Sequence, residues 1–171
     1  IAGTTTAGGG LCGKVPREVR DFSDDVWTRS NDPIGAGGVS EVYLGLGHHG
    51  LLVAMKFFLL ESTRSSTDDL KNEVELLSHL KHDNIVSYVE CSFTPTHFVI
   101  IMEYVSGGSL EKLLRQFGPL PLLALKKYLY DILRGLEYLH SQKSVHCDIK
   151  PGNALLHNDG DFRPMARYLG L

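Results

Sequence analysis

Apolar and polar positions change their period twice along the chain. Residues 1 to about 25 mix Gly, Thr and charge with neither a two-residue nor a helical repeat. Such a stretch buries too little surface to offset its ordering entropy, so a disordered leader is expected over 1–25. From Trp27 the pattern becomes that of strands. Ser40–Gly45 and Leu51–Leu59 read as two arms of a hairpin around the turn-rich Gly45-Leu-Gly-His-His-Gly50. Ser66-Thr-Asp-Asp69 then offers a hydroxyl cap and first-turn carboxylates. Leu70, Val74, Leu77 and Leu80 recur at helical spacing and predict a helix near 67–81. Ile85–Phe93 and Thr96–Met102 are two further apolar strands around Thr94-Pro95. The expectation is an antiparallel sheet of about five strands carrying one helix.

Past Gly107-Gly108 the strand signals stop. Ser109 can cap a short helix that stops at Gly118-Pro119. Leu122, Leu125, Leu129, Ile132, Leu136 and Leu139 then alternate steps of three and four along one face, which predicts a long buried helix. The chain is therefore read as α+β, with a sheet-rich part over 26–105 and a helical part over 106–171. The double glycine is the hinge between them, and no internal repeat is present.

Composition narrows the function classes. The chain has 171 residues, 17 Lys+Arg against 20 Asp+Glu, and a formal charge of -3, with the charges interspersed. It lacks the basic field that attracts nucleic acid, which is not an expected partner. The longest apolar run, Leu51–Leu60, contains Lys56 and falls well short of the roughly 20 residues of a spanning helix. Cys12, Cys91 and Cys147 are too few and too scattered for a disulfide framework or a zinc knuckle, and they suggest a reducing, cytoplasmic setting. The start at Ile1 has no initiator Met and no signal pattern and looks like a cut edge, so a fragment of a longer chain is expected.

Three segments carry candidate chemistry. Ile34-Gly-Ala-Gly-Gly-Val-Ser-Glu-Val-Tyr43 sets Gly35, Gly37 and Gly38 between strands, where missing side chains let backbone N–H groups approach a phosphate. A plain tight turn would look the same. A dinucleotide fold would need a helix next, but Glu41-Val-Tyr-Leu44 continues as strand, and a Walker loop would need Gly-Lys-Ser/Thr. Val53-Ala-Met-Lys56 embeds an ammonium in apolar sequence, where it needs a partner, an anionic ligand or a route to solvent. Glu73, on the helix, is the natural partner. Val145-His-Cys-Asp-Ile-Lys-Pro-Gly-Asn153 packs His146, Asp148, Lys150 and Asn153 into eight positions directly after the long helix.

In this order the segments resemble the eukaryotic protein-kinase family over residues 27 to about 157. Met102-Glu-Tyr-Val-Ser-Gly-Gly-Ser-Leu110 supports the likeness, and Lys150 is similar to the lysine of Ser/Thr kinases. Trp27, Asn72-Glu-Val-Glu-Leu-Leu77, Leu80-Lys-His-Asp-Asn-Ile-Val86 and the Gly-Gly-Ser-Leu segment resemble the MAP kinase kinase kinase branch. The resemblance implies a kinase-like small lobe followed by the first helices and catalytic loop of the large lobe, truncated. It further implies that ATP and Mg²⁺ are cofactors and that a protein, such as a downstream kinase, is the substrate. By the same likeness Lys56, held by Glu73, would meet the α- and β-phosphates; Asp148 would take the hydroxyl proton; Lys150 would offset γ-phosphate charge; Asn153 would bind Mg²⁺. Met102 resembles the gatekeeper, Glu103 and Val105 would offer backbone groups to adenine, and Val42, Ala54 and Leu155 would sandwich the ring below Ile34 and the glycines. Leu77, Tyr88 and His146 would join the family's stacked spine.

The chain departs from the family at two places. Cys147 replaces the Arg that precedes the catalytic Asp, and a thiol cannot make a bidentate phosphate contact. The candidate second metal ligand, Asp161 of Asp161-Phe-Arg163, lies eight residues after Asn153, and Asn158-Asp-Gly160 reads as a hairpin turn whose second strand is missing. His48-His49, and His79 with His82, lack a third ligand for zinc. A Ser/Thr kinase is the leading reading; the alternatives are a pseudokinase-like nucleotide-binding or scaffold module and an inactive truncated product.

Overall fold

A computed structural model describes residues 15–37, 40–62, 67–157 and 162–164. The strands are β1 (Glu18–Arg20), β2 (Val26–Ala36), β3 (Ser40–Gly47), β4 (Leu52–Leu59), β5 (Tyr88–Phe93), β6 (His97–Glu103), β7 (Ala154–Leu156) and β8 (Phe162–Pro164). The helices are α1 (Thr67–His79), α2 (Leu110–Phe117) and α3 (Leu122–Ser141). β1 to β6 form one antiparallel sheet in the order β1-β2-β3-β4-β6-β5, and β7 and β8 form a separate hairpin. The sheet has six strands where about five are expected from the sequence.

The additional strand lies inside the expected disordered leader, whose boundary at residue 25 is corrected here. Val19 of β1 is buried with Trp27, Tyr43, Val53, Met55, Phe57, Val99 and Ile101 on one face of the sheet, and Val15 packs against them. Asp21 holds the turn that follows: its carboxylate accepts from the Ser23 and Asp25 amides at 2.9 and 3.0 Å and from the Trp27 indole at 2.7 Å. A polar sequence without a period can order when one Val finds a core and one Asp satisfies three donors. At the far edge of the sheet, the Ser92 hydroxyl of β5 donates to the Arg20 carbonyl of β1, and Phe22 and Phe93 meet at 6.3 Å. The two ends of the strand order therefore touch.

The opposite face holds the larger core. Ala54, Phe58, Leu70, Leu77, Leu80, Ile85, Val86, Phe98, Ile100 and Met102 pack there between the sheet and α1, joined by Leu139 of α3 and Val105 past the end of β6. The apolar positions that predict α1 are the ones buried: Leu70, Leu77 and Leu80 face the sheet, and Val74 is half-buried. Ser66 and the side chains of Thr67, Asp68 and Asp69 lie outside the described residues, and with them the expected cap. α2 begins as the sequence suggests, with the Ser109 hydroxyl accepting from the Lys112 amide at 3.2 Å, and ends at Gly118 with φ +72°.

α3 departs from expectation. Its first half is not buried: Leu122 and Leu123 are 63% and 82% exposed, and Leu129 and Leu133 are also largely exposed. Burial runs instead along Tyr128, Asp131, Ile132, Gly135, Leu136 and Leu139, because α3 meets α2 and β7 on one side and the small-lobe core only near its C-terminal end. The carboxylate of Asp131 is held there by Lys127 at 3.5 Å. Between the parts, the Tyr138 hydroxyl accepts from the Lys81 amide at 2.9 Å, and its ring stacks on His82 at 4.9 Å.

His97 is buried under Phe57, and burial pushes its imidazole pKa below the ordinary 6.5, against the opposing pull of Glu41. Because the unfolded chain then binds the proton more readily, the stability contributed by neutral His97 is complete above about 6.5 and is lost as pH falls through the depressed folded value. His97→Gln should flatten the decline of the melting temperature between about pH 7 and 5, read by calorimetry. Phe98→Ala, in the main core, should cost about 3–5 kcal/mol in urea unfolding, whereas Leu123→Ser should stay within about 0.5 kcal/mol.

Candidate nucleotide cleft and catalytic loop

The cleft is assembled from the strands that carry the sequence motifs. Gly35 of β2 pairs with Val42 of β3, and the Gly37 amide donates to the Ser40 carbonyl at 2.8 Å, closing the glycine-rich turn. Ile34 is exposed at its rim. Gly38 lies outside the described residues. Lys56 sits on β4 between Val42 and Ile100, with its Nζ 4.9 Å from the Phe58 ring centroid. Glu73 is on α1, but its side chain lies outside the described residues, so the expected ion pair with Lys56 does too. The five apolar residues expected around adenine belong to one cluster: Ala54, Met102 and Val105 are buried, and Val42 and Leu155 pack against them. Met102 lies across from Ala54 and Tyr88 in the ladder. Leu77 and Tyr88 share this cluster, and burial first, then the Cys91 and Glu90 contacts, raises the Tyr88 phenol pKa far above the ordinary range.

The segment leaving β6 is fixed on both sides. Glu103 donates its amide to the Ser87 carbonyl at 2.9 Å and accepts from the Ser87 amide through its carboxylate at 3.2 Å. His157, just after β7, approaches the same carboxylate at 3.8 Å. Beyond Val105 the backbone runs against β7: the Leu156 amide donates to the Gly108 carbonyl at 2.8 Å, and Ser109 bridges to Leu155. Gly107 has no room for a side chain there, since a Cβ would fall 2.2 Å from the Leu156 carbonyl oxygen. This contact puts Leu155 under the cleft, where the sequence places it by likeness alone.

The residues expected in the catalytic loop converge. His146 is buried, and the Asp148 amide donates to the His146 carbonyl at 2.8 Å and approaches its Nδ1 at 3.3 Å. That tight turn forces Cys147, between them, to a φ of +58°, a strained value for a residue with a Cβ. The Cys147 thiol is exposed. Lys150 Nζ lies 2.9 Å from Asp148 Oδ2, and the Asn153 amide group donates to both Asp148 Oδ2 at 2.8 Å and the Asp148 carbonyl at 2.9 Å. One carboxylate is thus oriented by two donors on its own loop, while the ammonium is half-exposed and can turn to a second anion.

Asp161 lies outside the described residues, but the pairing of β7 with β8 corrects one expectation. The second strand is present: β8 is made of Phe162, Arg163 and Pro164 themselves, paired with Leu156, Leu155 and Ala154. The Asp-Phe-Arg triplet was expected to follow a missing strand; part of it is that strand. Sequence reading also missed the Tyr138–Lys81 tie and the close approach at Gly107. No local pattern marks the first; the Gly107-Gly108 pair is a signal for the second, with its partner 49 residues away along the chain. Among the described residues no group of three or more His, Cys, Asp or Glu is placed to hold a metal ion.

This chain belongs to the protein kinase domain family, whose model matches residues 28–165. It is similar to mitogen-activated protein kinase kinase kinase ANP1 of Arabidopsis thaliana, 36% identical over 153 residues, covering 85% of this chain and 23% of the relative. It is likewise similar to mitogen-activated protein kinase kinase kinase 19 of Homo sapiens, 38% identical over 140 residues, covering 79% of this chain and 10% of that protein. A crystal structure of Rad53 residues 1–466 in complex with AMP-PNP superposes with a TM-score of 0.74 at 26% identity, over 81% of this chain and 36% of that one. The chain thus spans about a quarter or less of the curated relatives' lengths.

Gly107→Ala should destabilise the protein by roughly 1–3 kcal/mol, since the clash is with backbone that cannot rotate away. Hydrogen exchange of the Leu156 amide should accelerate with it, whereas Gly50→Ala, in open space on the hairpin turn, should leave that amide protected.

Proposed function

We propose that this chain carries the nucleotide cleft and catalytic loop of a Ser/Thr protein kinase of a MAP-kinase-type cascade, which transfers the γ-phosphate of ATP to a protein hydroxyl. The observation that carries this reading is the convergence of Asp148, Lys150 and Asn153 on one loop that is bonded through β7 to the end of the cleft. Adenine fits the apolar layer of Val42, Ala54, Met102 and Leu155, with backbone groups of Glu103 and Val105 at its edge and Ile34, Gly35 and Gly37 above. The complex of the Rad53 neighbour with AMP-PNP supports ATP as the nucleotide. Gly38 and Glu73 complete the proposed site, the first by its place in the glycine-rich turn and the second by its place on α1. Kinase relatives of the MAP kinase kinase kinase type support a downstream kinase as substrate. No helix among the described residues is long and apolar enough to cross a membrane, and the scarcity of cysteine supports the cytoplasm.

In this reading Asp148 accepts the proton from the substrate hydroxyl as it attacks, because its carboxylate is held toward the loop mouth by Asn153 rather than by the hydroxyl itself. Lys150 then leaves Asp148 for the transferring phosphate, where its ammonium offsets developing charge. Lys56 orients the outer phosphates. Magnesium, when bound, supplies further charge neutralisation on the phosphates, and the carboxamide oxygen of Asn153 is the group this loop offers it, its nitrogen being committed to Asp148.

Lys56→Met should weaken ATP about tenfold or more in calorimetry while leaving adenosine nearly unchanged, since a charge-assisted contact contributes roughly 1.5–3 kcal/mol. Equal loss of both ligands would count against a phosphate role. Asp148→Asn should abolish radiolabel transfer to a Ser/Thr peptide while retaining ATP binding; activity that survives this change would overturn the assignment.

A further inference from the structure

Glu111 brings a second carboxylate to the loop that holds Asp148. It lies in the first turn of α2, and two ties fix that turn: the Ser109 hydroxyl caps it through the Lys112 amide, and the Gly108 carbonyl receives the Leu156 amide. α2 also packs directly on the 151–153 turn that follows Lys150. Gly152 makes the fit possible. A Cβ at that position would stand 3.1 Å from Glu111 Oε2 and 4.0 Å from Lys150 Cε, so the carboxylate occupies the space that a side chain at 152 would take.

The neighbouring cations leave one side of this carboxylate open. Lys150 Nζ is directed to Asp148 at 2.9 Å, and the Lys112 side chain folds back along Gly108. Arg115, one turn further along α2, donates to Glu111 Oε1 at 2.8 Å, but its side chain is 76% exposed, and an ion pair so open to water holds its partners weakly. Glu111 Oε2, on the loop side, accepts no hydrogen bond among the described residues. By way of Lys150 and Gly152, the Asp148 and Glu111 carboxylates are no more than roughly 12 Å apart. An extended peptide whose hydroxyl meets Asp148 advances about 3.3–3.6 Å per residue, so side chains one to three places from the acceptor come within reach of Glu111. An acidic side chain there would be repelled, and a lysine or arginine would gain a charge-assisted hydrogen bond.

Resting on the phosphoryl-transfer reading proposed above, we infer that Glu111 selects protein substrates that carry a lysine or arginine within three residues of the phosphorylated Ser or Thr. Asp148 meets the hydroxyl, and Glu111 meets the flanking cation.

The test uses the full chain, ATP and a set of Ser peptides that differ only in carrying Arg, Ala or Glu at each of the three positions on either side of the acceptor, with kcat/KM read by radiolabel transfer. At one or more of these positions the Arg peptide should exceed the Ala peptide by about three- to fivefold, and the Glu peptide should fall below both. Glu111→Gln should bring the Arg-to-Ala ratio near one, and Glu111→Lys should invert the order so that the Glu peptide leads. Arg115→Ala, which leaves the carboxylate wholly to the substrate, should raise the ratio. Equal rates for the three peptides at every position with the unaltered chain would overturn the inference and leave the phosphoryl-transfer reading standing. So would a loss in Glu111→Gln that is the same for every peptide, because the residue would then support the loop without reading the substrate. No transfer to any peptide would overturn the phosphoryl-transfer reading, and the inference with it.

Discussion

The backbone contact between Gly108 and Leu156 is the joint on which the site depends. One bond from the Leu156 amide to the Gly108 carbonyl, with Gly107 pressed against the Leu156 carbonyl, holds the strand after the Asp148–Asn153 loop against the segment that leaves the sheet. Its geometry leaves no tolerance, because both partners are main chain and neither can change rotamer to relieve a clash. Through it Leu155 reaches the floor of the cleft, and Asn153, two residues earlier, is placed with Asp148 and Lys150. A small shift at this joint would move the Asp148 carboxylate relative to the glycine-rich turn.

A single apolar cluster backs this joint. It runs from Leu70 and Leu77 on α1, through Ile100 and Met102 on β6, to Val105 and Leu139, so the floor of the cleft is continuous with the core of the small lobe. A nucleotide base entering it would extend that core rather than occupy a separate hole. Polar ties stand at its margins: Ser87 with Glu103 on one side, Tyr138 with Lys81 on the other. They define where the apolar layer ends and hold the loop between α1 and β5 against β6 and α3.

Much of this was legible in the residues, because the signals were local. The apolar run around Lys56, the helical spacing of Leu70 and Leu77, and the Ser109 cap each act over one or two turns or strands, and the folded chain uses them as written. What was not legible depends on partners distant in sequence. Val19 becomes a core residue only because the outer face of the sheet is there to receive it, and Asp21 orders its turn by reaching Trp27. α3 presents an apolar stripe in sequence, but which of two adjacent stripes is buried depends on the angle at which it meets α2 and β7, so Asp131 is inside and Leu122 outside. β8 escaped notice because Phe162-Arg-Pro164 is too short to show a period, and a three-residue strand is defined by its partner.

The meeting of β1 with β5 has a further consequence. A sheet ordinarily presents two outer strands whose unpaired N–H and C=O groups invite another chain to add on, the route by which small β-rich folds stick to one another. Here the outermost strands turn toward each other, with the Ser92 hydroxyl donating to the Arg20 carbonyl and the Phe22 and Phe93 rings meeting beside it. The two rims therefore meet at one point rather than standing apart. Eleven residues that a reading by period would discard, 15–25, thereby guard the sheet against adding a foreign strand.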